Sequence, residues 1–113
     1  MHIITVKRLK EAAERHREAA REIGAWISIV KTVRWRNFDE LRTSFPDADH
    51  VDDFVVFNIR HNRYRLIAAV HYAKMIEKRL TLGHVYVASF MTHKDYDRWC
   101  SGTEKQRAQW LQF

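Results

Sequence analysis

The stretch FVVFNIRHNRYRLIAAVH, residues 54–71, decides the fold, because the apolar pattern changes there from a helical period to an alternating one. Two β-branched and aromatic runs, Phe54–Ile59 and Tyr64–His71, each place alternate apolar residues on one face, as half-buried strands do. Between them lie four polar residues, 60–63, of which Asn62 is expected to adopt positive φ. The stretch therefore predicts two antiparallel strands joined by a short turn.

The chain before this hairpin is mainly helical. A short strand, residues 2–6, precedes a helix whose apolar positions recur from Leu9 to Ile23. Gly24 is expected to end that helix, and residues 25–35 resume the 3.6-residue period as a second helix folded back on the first. A short third helix is predicted to begin after Asn37, which has Glu40 three residues later, and to end before Pro46.

After the third helix, residues 47–53 are expected to form a polar connection leading to the hairpin. Residues 72–83 are expected to form a longer basic connection with some helical character. A last strand over residues 84–91 then leads into a short helix from Lys94 to about Cys100. Thr92 has the side chain of an N-cap for this helix, with Asp95 at the matching position.

This order of elements predicts an α+β domain. Its sheet is antiparallel-rich, with the N-terminal helical hairpin packed on one face and a short C-terminal helix. The other face of the sheet is expected to be concave and free. Residues 1–100 are predicted to form a single domain, and residues 101–113 a tail whose apolar side chains (Trp110, Leu111 and Phe113) can dock on it.

The charge of the chain favours a polyanionic partner. The net charge is +6 and the isoelectric point about 9.8. Residues 60–98 hold eight Lys and Arg against three acidic residues, so this half carries +5 of the total. Nucleic acid is the first partner to expect, and an anionic membrane surface the second.

Several classes of protein are disfavoured by what the sequence lacks. Cys100 is the single cysteine, so an internal disulfide and a cysteine-based metal site are excluded, and a reducing cytoplasm is expected. The opening MHIITVKRLK is not a signal peptide, and no apolar run is long enough to span a membrane. The seven histidines show neither H-x-H nor H-x₃-H spacing and no accompanying acidic cluster, so no metal is expected.

Chemistry is concentrated in FMTHKDYDRW, residues 90–99, which follows the last strand. A helix start needs only the cap, yet His93, Lys94 and Tyr96 arrive with it. RNA cleavage requires a base for the ribose 2′-hydroxyl, an acid for the leaving oxygen, and cations for the transition state. His93 is a candidate base or acid, Tyr96 a polar partner, and Arg65 and Lys94 candidate charge stabilisers. The side chains of Arg65 and His93 are expected to meet across neighbouring strands and to face one water-accessible hollow.

Each assignment has a structural alternative. His93 also fits a solvated helix start, Tyr96 fits packing, and Asn62 fits a turn residue. Arg65 is either a phosphate ligand or the partner of a carboxylate such as Asp97. Three tyrosines of the second half are candidates for stacking on bases: Tyr64, Tyr72 and Tyr86.

Two motifs in fixed order, FNIRHNRYRLIAAV (57–70) and VYVASFMTHKDYD (85–97), resemble the HigB-type toxins of bacterial type II toxin–antitoxin modules, which are related to the RelE superfamily. The resemblance covers about residues 1–99. It implies a RelE-like compact fold and a ribosome-dependent mRNA endoribonuclease (mRNA interferase) that acts through the 2′-hydroxyl. It also implies no metal or organic cofactor, and a cognate HigA-type helix-turn-helix antitoxin.

Carried onto this chain, the resemblance and the residue chemistry together give two groups of site residues. The catalytic candidates are Arg65, His93 and Tyr96. The candidates for RNA binding are Asn58, His61, Asn62, Arg63, Lys94 and Asp97. Two departures stand out: Arg60 and His61 occupy positions where the family often has Gly-Gly, and the connection 72–83 is longer than usual. Two other functions stay open, a non-catalytic RNA- or ribosome-binding module and a domain that receives an acidic peptide.

Overall fold

A computed structural model describes residues 1–111, so the expectation for Phe113 lies outside the described residues. The strands are β1 (His2–Ile4), β2 (Asp49–Val51), β3 (Phe54–Ile59), β4 (Tyr64–His71), β5 (Met75–Ile76), β6 (Arg79–Leu80) and β7 (His84–Thr92). The helices are α1 (Val6–Arg15), α2 (Ala20–Thr32), α3 (Phe38–Ser44), α4 (His93–Cys100) and α5 (Glu104–Trp110), with a 3-10 turn at Arg17–Ala19.

The predicted α+β class is confirmed, and its centre is the predicted hairpin. β3 and β4 have the expected bounds and pair antiparallel, with Ile59 opposite Tyr64 and Asn58 opposite Arg65. The sheet has the order β1–β7–β4–β3–β2 and is mixed, because β1 runs parallel to β7 while the other neighbours are antiparallel.

The helical layer packs on one face of this sheet, where Trp26 meets Phe57 edge to face at 5.4 Å between ring centroids. The prediction that Gly24 separates the two helices is wrong. The break lies at His16, whose ring leaves the helix to pack on Tyr64 at 4.7 Å. Gly24 lies inside α2 on the exposed side, where a methyl group would meet nothing, so it need not end the helix.

The third helix forms as predicted. The side chain of Asn37 accepts a hydrogen bond from Glu40 N at 2.9 Å, and α3 ends at Ser44, two residues before Pro46. The polar connection 47–53 is not wholly irregular, because β2 pairs with the outer edge of β3, which otherwise has unpaired backbone groups.

The connection 72–83 contains no helix among the described residues. It forms a second hairpin, β5–β6, whose turn residues Glu77 and Lys78 both have positive φ. Its base is closed by two bonds of 2.8 Å, from Thr81 N to Lys74 O and from Lys74 N to Thr81 Oγ1. Pairing across a two-residue turn satisfies these backbone groups and replaces the helix expected from the polar pattern.

The second face of the sheet is not free, contrary to expectation. α4 and α5 cover its apolar residues, and Trp99 and Leu111 are fully buried there against Ile67 and Met91. α5 begins with a capping box between Thr103 and Gln106. Exposed Val and Ile side chains on this face would cost about 25 cal/mol per Å², which explains why the chain returns to cover them. Across residues 1–111, no helix is both long and apolar enough to cross a bilayer.

Candidate active site

The candidate site lies where β7 passes into α4, beside the turn between β3 and β4. Thr92 caps α4 by accepting a hydrogen bond from Asp95 N at 3.2 Å, as predicted. Because Tyr64 stands opposite Thr92 in the sheet, the start of β4 adjoins the start of α4. His93 N donates to Arg63 O at 2.9 Å, so the backbone of the turn holds the helix start directly.

Arg65 and His93 meet across this junction. The Arg65 Nη2 atom lies 3.2 Å from His93 Nδ1. A guanidinium group only donates, so Nδ1 accepts and the imidazole proton lies on Nε2. Nε2 faces Asp97 Oδ2 at 3.4 Å. The three side chains therefore form a contact chain, Arg65–His93–Asp97, in which the histidine tautomer is fixed at both ends.

Arg65 is buried, with 8% of its surface exposed, whereas half of the His93 side chain is exposed. The Arg65 Nη1 atom donates to Asn62 O at 2.9 Å and to Tyr64 O at 3.3 Å. The ion pair of Arg65 with Asp97, one alternative from the sequence, is not formed, because Asp97 contacts His93 instead. Arg65 therefore ties the turn and the imidazole together.

The ring of Tyr96 packs against the guanidinium group of Arg65, whose Cζ atom lies 5.1 Å from the ring centroid. This is a cation–π contact in a half-buried setting. Burial, with a hydrogen bond to the Cys100 thiol, raises the pKa of the Tyr96 hydroxyl well above its ordinary value of 10. The phenol therefore stays protonated near neutral pH and has no capacity to act as a base there.

The turn itself departs from expectation in its backbone. Arg60 and His61 have φ of 57° and 56°, so the prediction of positive φ at Asn62 is wrong. The carboxylate of Glu22 accepts from Arg60 N, and Arg63 N donates to Arg60 O at 3.2 Å. These are the two positions where the resembling family often has Gly-Gly, and a left-handed conformation costs about 1–2 kcal/mol for any other residue.

The opposite face of the turn is fastened to the helical layer. The Tyr64 hydroxyl donates to the Glu18 carboxylate, and the Tyr64 ring stacks on Phe90 at 5.2 Å. Tyr64 is buried by these contacts, so the expectation that it stacks on bases is wrong. Tyr72 and Tyr86 are half-buried. The anchors Glu18, in the 3-10 turn, and Glu22, in α2, were not predicted from the sequence, and their four-residue spacing is the signal that could have found them.

The remaining candidates surround the Arg65–His93–Asp97 contact chain. Asn58 is the register partner of Arg65 and shares its face of the sheet. Lys94 is exposed in the first turn of α4, and three residues of the turn are exposed beside it: His61, Asn62 and Arg63. The fold thus brings the predicted catalytic and RNA-binding residues to one corner of the sheet.

Comparison with known proteins identifies the family of this chain. Residues 19–99 match the HigB_toxin family, described as the RelE-like toxic component of a toxin-antitoxin system. The chain is 31% identical over 100 residues to the mRNA interferase toxin HigB of Escherichia coli K12, covering 86% of this chain and 88% of that protein. The mRNA interferases HigB of Escherichia coli O157:H7 and of Shigella flexneri give the same identity and coverage.

Proposed function

Because this chain belongs to the HigB family of RelE-like toxins, we propose that it is an endoribonuclease that cleaves messenger RNA on the translating ribosome and so inhibits translation. The observation that carries the proposal is the Arg65–His93–Asp97 contact chain at a solvent-accessible corner. A histidine held by a carboxylate on one nitrogen and free to exchange its partner on the other is equipped for proton transfer.

The proposed reaction uses the ribose 2′-hydroxyl as the nucleophile. His93 Nδ1 takes the 2′ proton once Arg65 turns towards the phosphate, and Asp97 stabilises the imidazolium that forms. The 2′ oxygen bonds to phosphorus and the bond to the 5′ oxygen breaks, leaving a 2′,3′-cyclic phosphate. The 5′ oxygen leaves with a proton from water in the open site, and the hydroxide that remains takes the proton from the His93 imidazolium, which restores the starting histidine.

Charge stabilisation falls to the cations of the corner. Arg65 already lies within hydrogen-bond distance of the base, and Lys94 is exposed one residue beyond it. Both neutralise the dianionic character of the transition state, which is the largest electrostatic demand in phosphoryl transfer. Tyr96 positions Arg65 through its ring. Four residues contact the RNA around them: Asn58, His61, Asn62 and Arg63.

The partners follow from the same assignment. A toxin of this family has an antitoxin, and we assign a HigA-type helix-turn-helix protein to that role. The ribosome presents the message, so the site of action is the cytoplasm. The basic half of the chain suits contact with ribosomal and messenger RNA, since +5 of the net charge lies between residues 60 and 98.

The test is the variant His93→Gln, which keeps size and polarity and removes the base. We expect growth arrest on expression of the wild type, with new 5′ ends in translated messages, and at least about 100-fold slower cleavage by the variant. His50→Gln is the matched control, because His50 is exposed on β2 and contacts Phe38, outside the corner.

Unchanged cleavage by His93→Gln would overturn the assignment of this residue. Growth arrest with ribosome binding and no new 5′ ends, in the wild type, would instead make the protein a binding module of the same fold.

A further inference from the structure

Three histidines form a row at the end of the sheet that is opposite the candidate active site. β4 runs from Tyr64 in the active corner to His71 at the far end. His71 stands opposite His84, and His84 stands opposite His2, so the three imidazoles belong to three adjacent strands. The rings of His71 and His84 are 5.5 Å apart, and all three residues are exposed.

These histidines line a cavity of about 470 Å³. Its other polar lining residues are Tyr72, Lys74 and Thr81, and no carboxylate is among the residues that line it. The Tyr72 hydroxyl is buried and has no hydrogen-bond partner within residues 1–111. The wall thus offers one ammonium group, three imidazoles and the Thr81 hydroxyl, with no lining carboxylate to neutralise the positive charge.

The backbone is tightly packed at Gly83, one of the residues that line the cavity. Gly83 has φ of 69°, and a Cβ there would lie 2.8 Å from His71 O and 2.9 Å from Ala73 N. Only glycine fits this close approach. Both backbone groups of Lys74 are bonded to Thr81, which fixes the point from which the ammonium group reaches the cavity.

From this lining we infer that the distal cavity binds a backbone phosphate of RNA, as a second contact remote from the cleavage site. Arg65 and His71 are six residues apart on one strand, so the two contacts are separated by about 20 Å. The inference rests on the proposed function for the identity of the polyanion. The presence of Lys74 and the absence of lining carboxylates favour an anion over a cation. No group of three metal-binding side chains converges anywhere in the described chain.

The first test is binding of a 2′-O-methyl oligonucleotide, which offers phosphates but no attacking hydroxyl. We expect Lys74→Gln to weaken binding and to lower the slope of log K against log salt by about 0.7, the value for one lost contact to single-stranded nucleic acid. Lys105→Gln is the matched control. Lys105 is exposed on α5, and its substitution removes the same single positive charge. Equal slopes for the two variants, with the oligonucleotide and with message-free ribosomes alike, would overturn the inference.

The second test observes the histidines directly. In a spectrum of labelled imidazoles, titration with inorganic phosphate is expected to shift the resonances of His2, His71 and His84 together and to leave His50 in place. A response of the row to zinc and none to phosphate would overturn the inference in favour of a metal site.

A third comparison distinguishes messenger RNA from ribosomal RNA as the source of the phosphate. It also distinguishes failure of the cleavage proposal from failure of the distal contact. If Lys74→Gln weakens binding to the oligonucleotide, the phosphate belongs to the message; if it weakens binding to message-free ribosomes only, the phosphate belongs to ribosomal RNA. Failure of the cleavage assignment would show in His93→Gln alone. Failure of the distal contact would show as wild-type binding by Lys74→Gln while His93→Gln is inactive.

Discussion

Two turns of this chain each place two consecutive non-glycine residues at positive φ: Arg60 and His61 between β3 and β4, and Glu77 and Lys78 between β5 and β6. Their surroundings differ. The first turn is held by the Glu22 carboxylate on one side and by His93 N on the other. The second is held mainly at its base, and its strand residues Met75 and Ile76 are 64% and 56% exposed.

The difference shows what makes a strained turn a candidate site. The backbone cost is similar in both, about 1–2 kcal/mol for each left-handed residue. Only the first turn positions groups of the candidate site. Asn62 O accepts from the side chain of Arg65, and Arg63 O accepts from the backbone N of His93. Strain therefore indicates function where polar contacts converge on it.

The strongest way to break the comparison is Arg65→Lys. The charge remains, but an ammonium group has no second arm to bind both the turn and His93. We expect cleavage on ribosomes to fall about 100-fold, the cost of misplacing a catalytic group by about 1 Å. Arg79→Lys in the second hairpin is the control and should leave kcat unchanged. An equal loss in both variants would mean that the two hairpins are equivalent.

Substituting the residues that hold each turn, Glu22 for the first and Thr81 for the second, is expected to have a smaller effect. Glu22→Ala removes the acceptor for Arg60 N, and we expect it to cost about 1 kcal/mol in the free energy of unfolding and to lower kcat. Thr81→Ala removes the side chain that accepts from Lys74 N at the base of the second hairpin. Under the proposed distal contact, it should raise KM while kcat stays constant. Urea unfolding and steady-state cleavage measure both. A change of KM alone in Glu22→Ala would contradict the anchoring role.

Glycine substitutions test whether the strain in the two turns is equal. Arg60→Gly and Lys78→Gly each remove a left-handed cost and add chain entropy, for an expected net gain of about 0.5 kcal/mol. Cleavage is expected to stay at the wild-type level in both variants, because glycine keeps the backbone N of residue 60 that donates to the Glu22 carboxylate. Loss of stability in either variant would show that its side chain contributes more than its backbone costs.

The smallest expected effect is on the pH dependence of the free energy of unfolding. The hydrogen bond from Tyr64 holds the pKa of Glu18 below its ordinary value of 4.5. This bond stabilises the fold fully above pH 4.5, and the stabilisation is lost as pH falls through the lower folded-state pKa. The same contact raises the pKa of Tyr64 above 10, so its contribution is lost again at alkaline pH.

Tyr64→Phe should therefore flatten the decline of unfolding free energy between pH 5 and pH 3, measured by urea titration at each pH. A decline as steep as that of the wild type would contradict the role of this bond.

Local patterns predicted the parts of this fold that depend on neighbours in sequence. The bounds of β3 and β4 and the caps at Asn37 and Thr92 follow from period and side-chain chemistry alone. The meeting of Arg65 and His93 also followed, since strand order places the start of β4 beside the start of α4.

Features set by distant contacts did not follow from the sequence. The helix break lies at His16 because Tyr64 and Phe90 receive its ring, and neither is near it in the chain. The cover on the second face depends on Arg107, which binds Asp52 with a shortest distance of 2.6 Å across 55 positions. The left-handed backbone at Arg60 likewise has a distant partner, because its N donates to Glu22 of the helical layer, 38 positions earlier in the chain.

β7 reaches from His84 in the distal cavity to Thr92 beside the cleavage corner. A paired strand does not stretch, and its nine residues span about 26 Å. Under the two proposed contacts, an RNA bound at both ends of β7 is held over a constant distance, and the cut is expected at a set distance from the distal phosphate. Inserting two residues into β7 and two at the matching positions of β4 keeps Thr92 opposite Tyr64 and preserves the facing of the side chains, and it should move the cut along the message by a corresponding step.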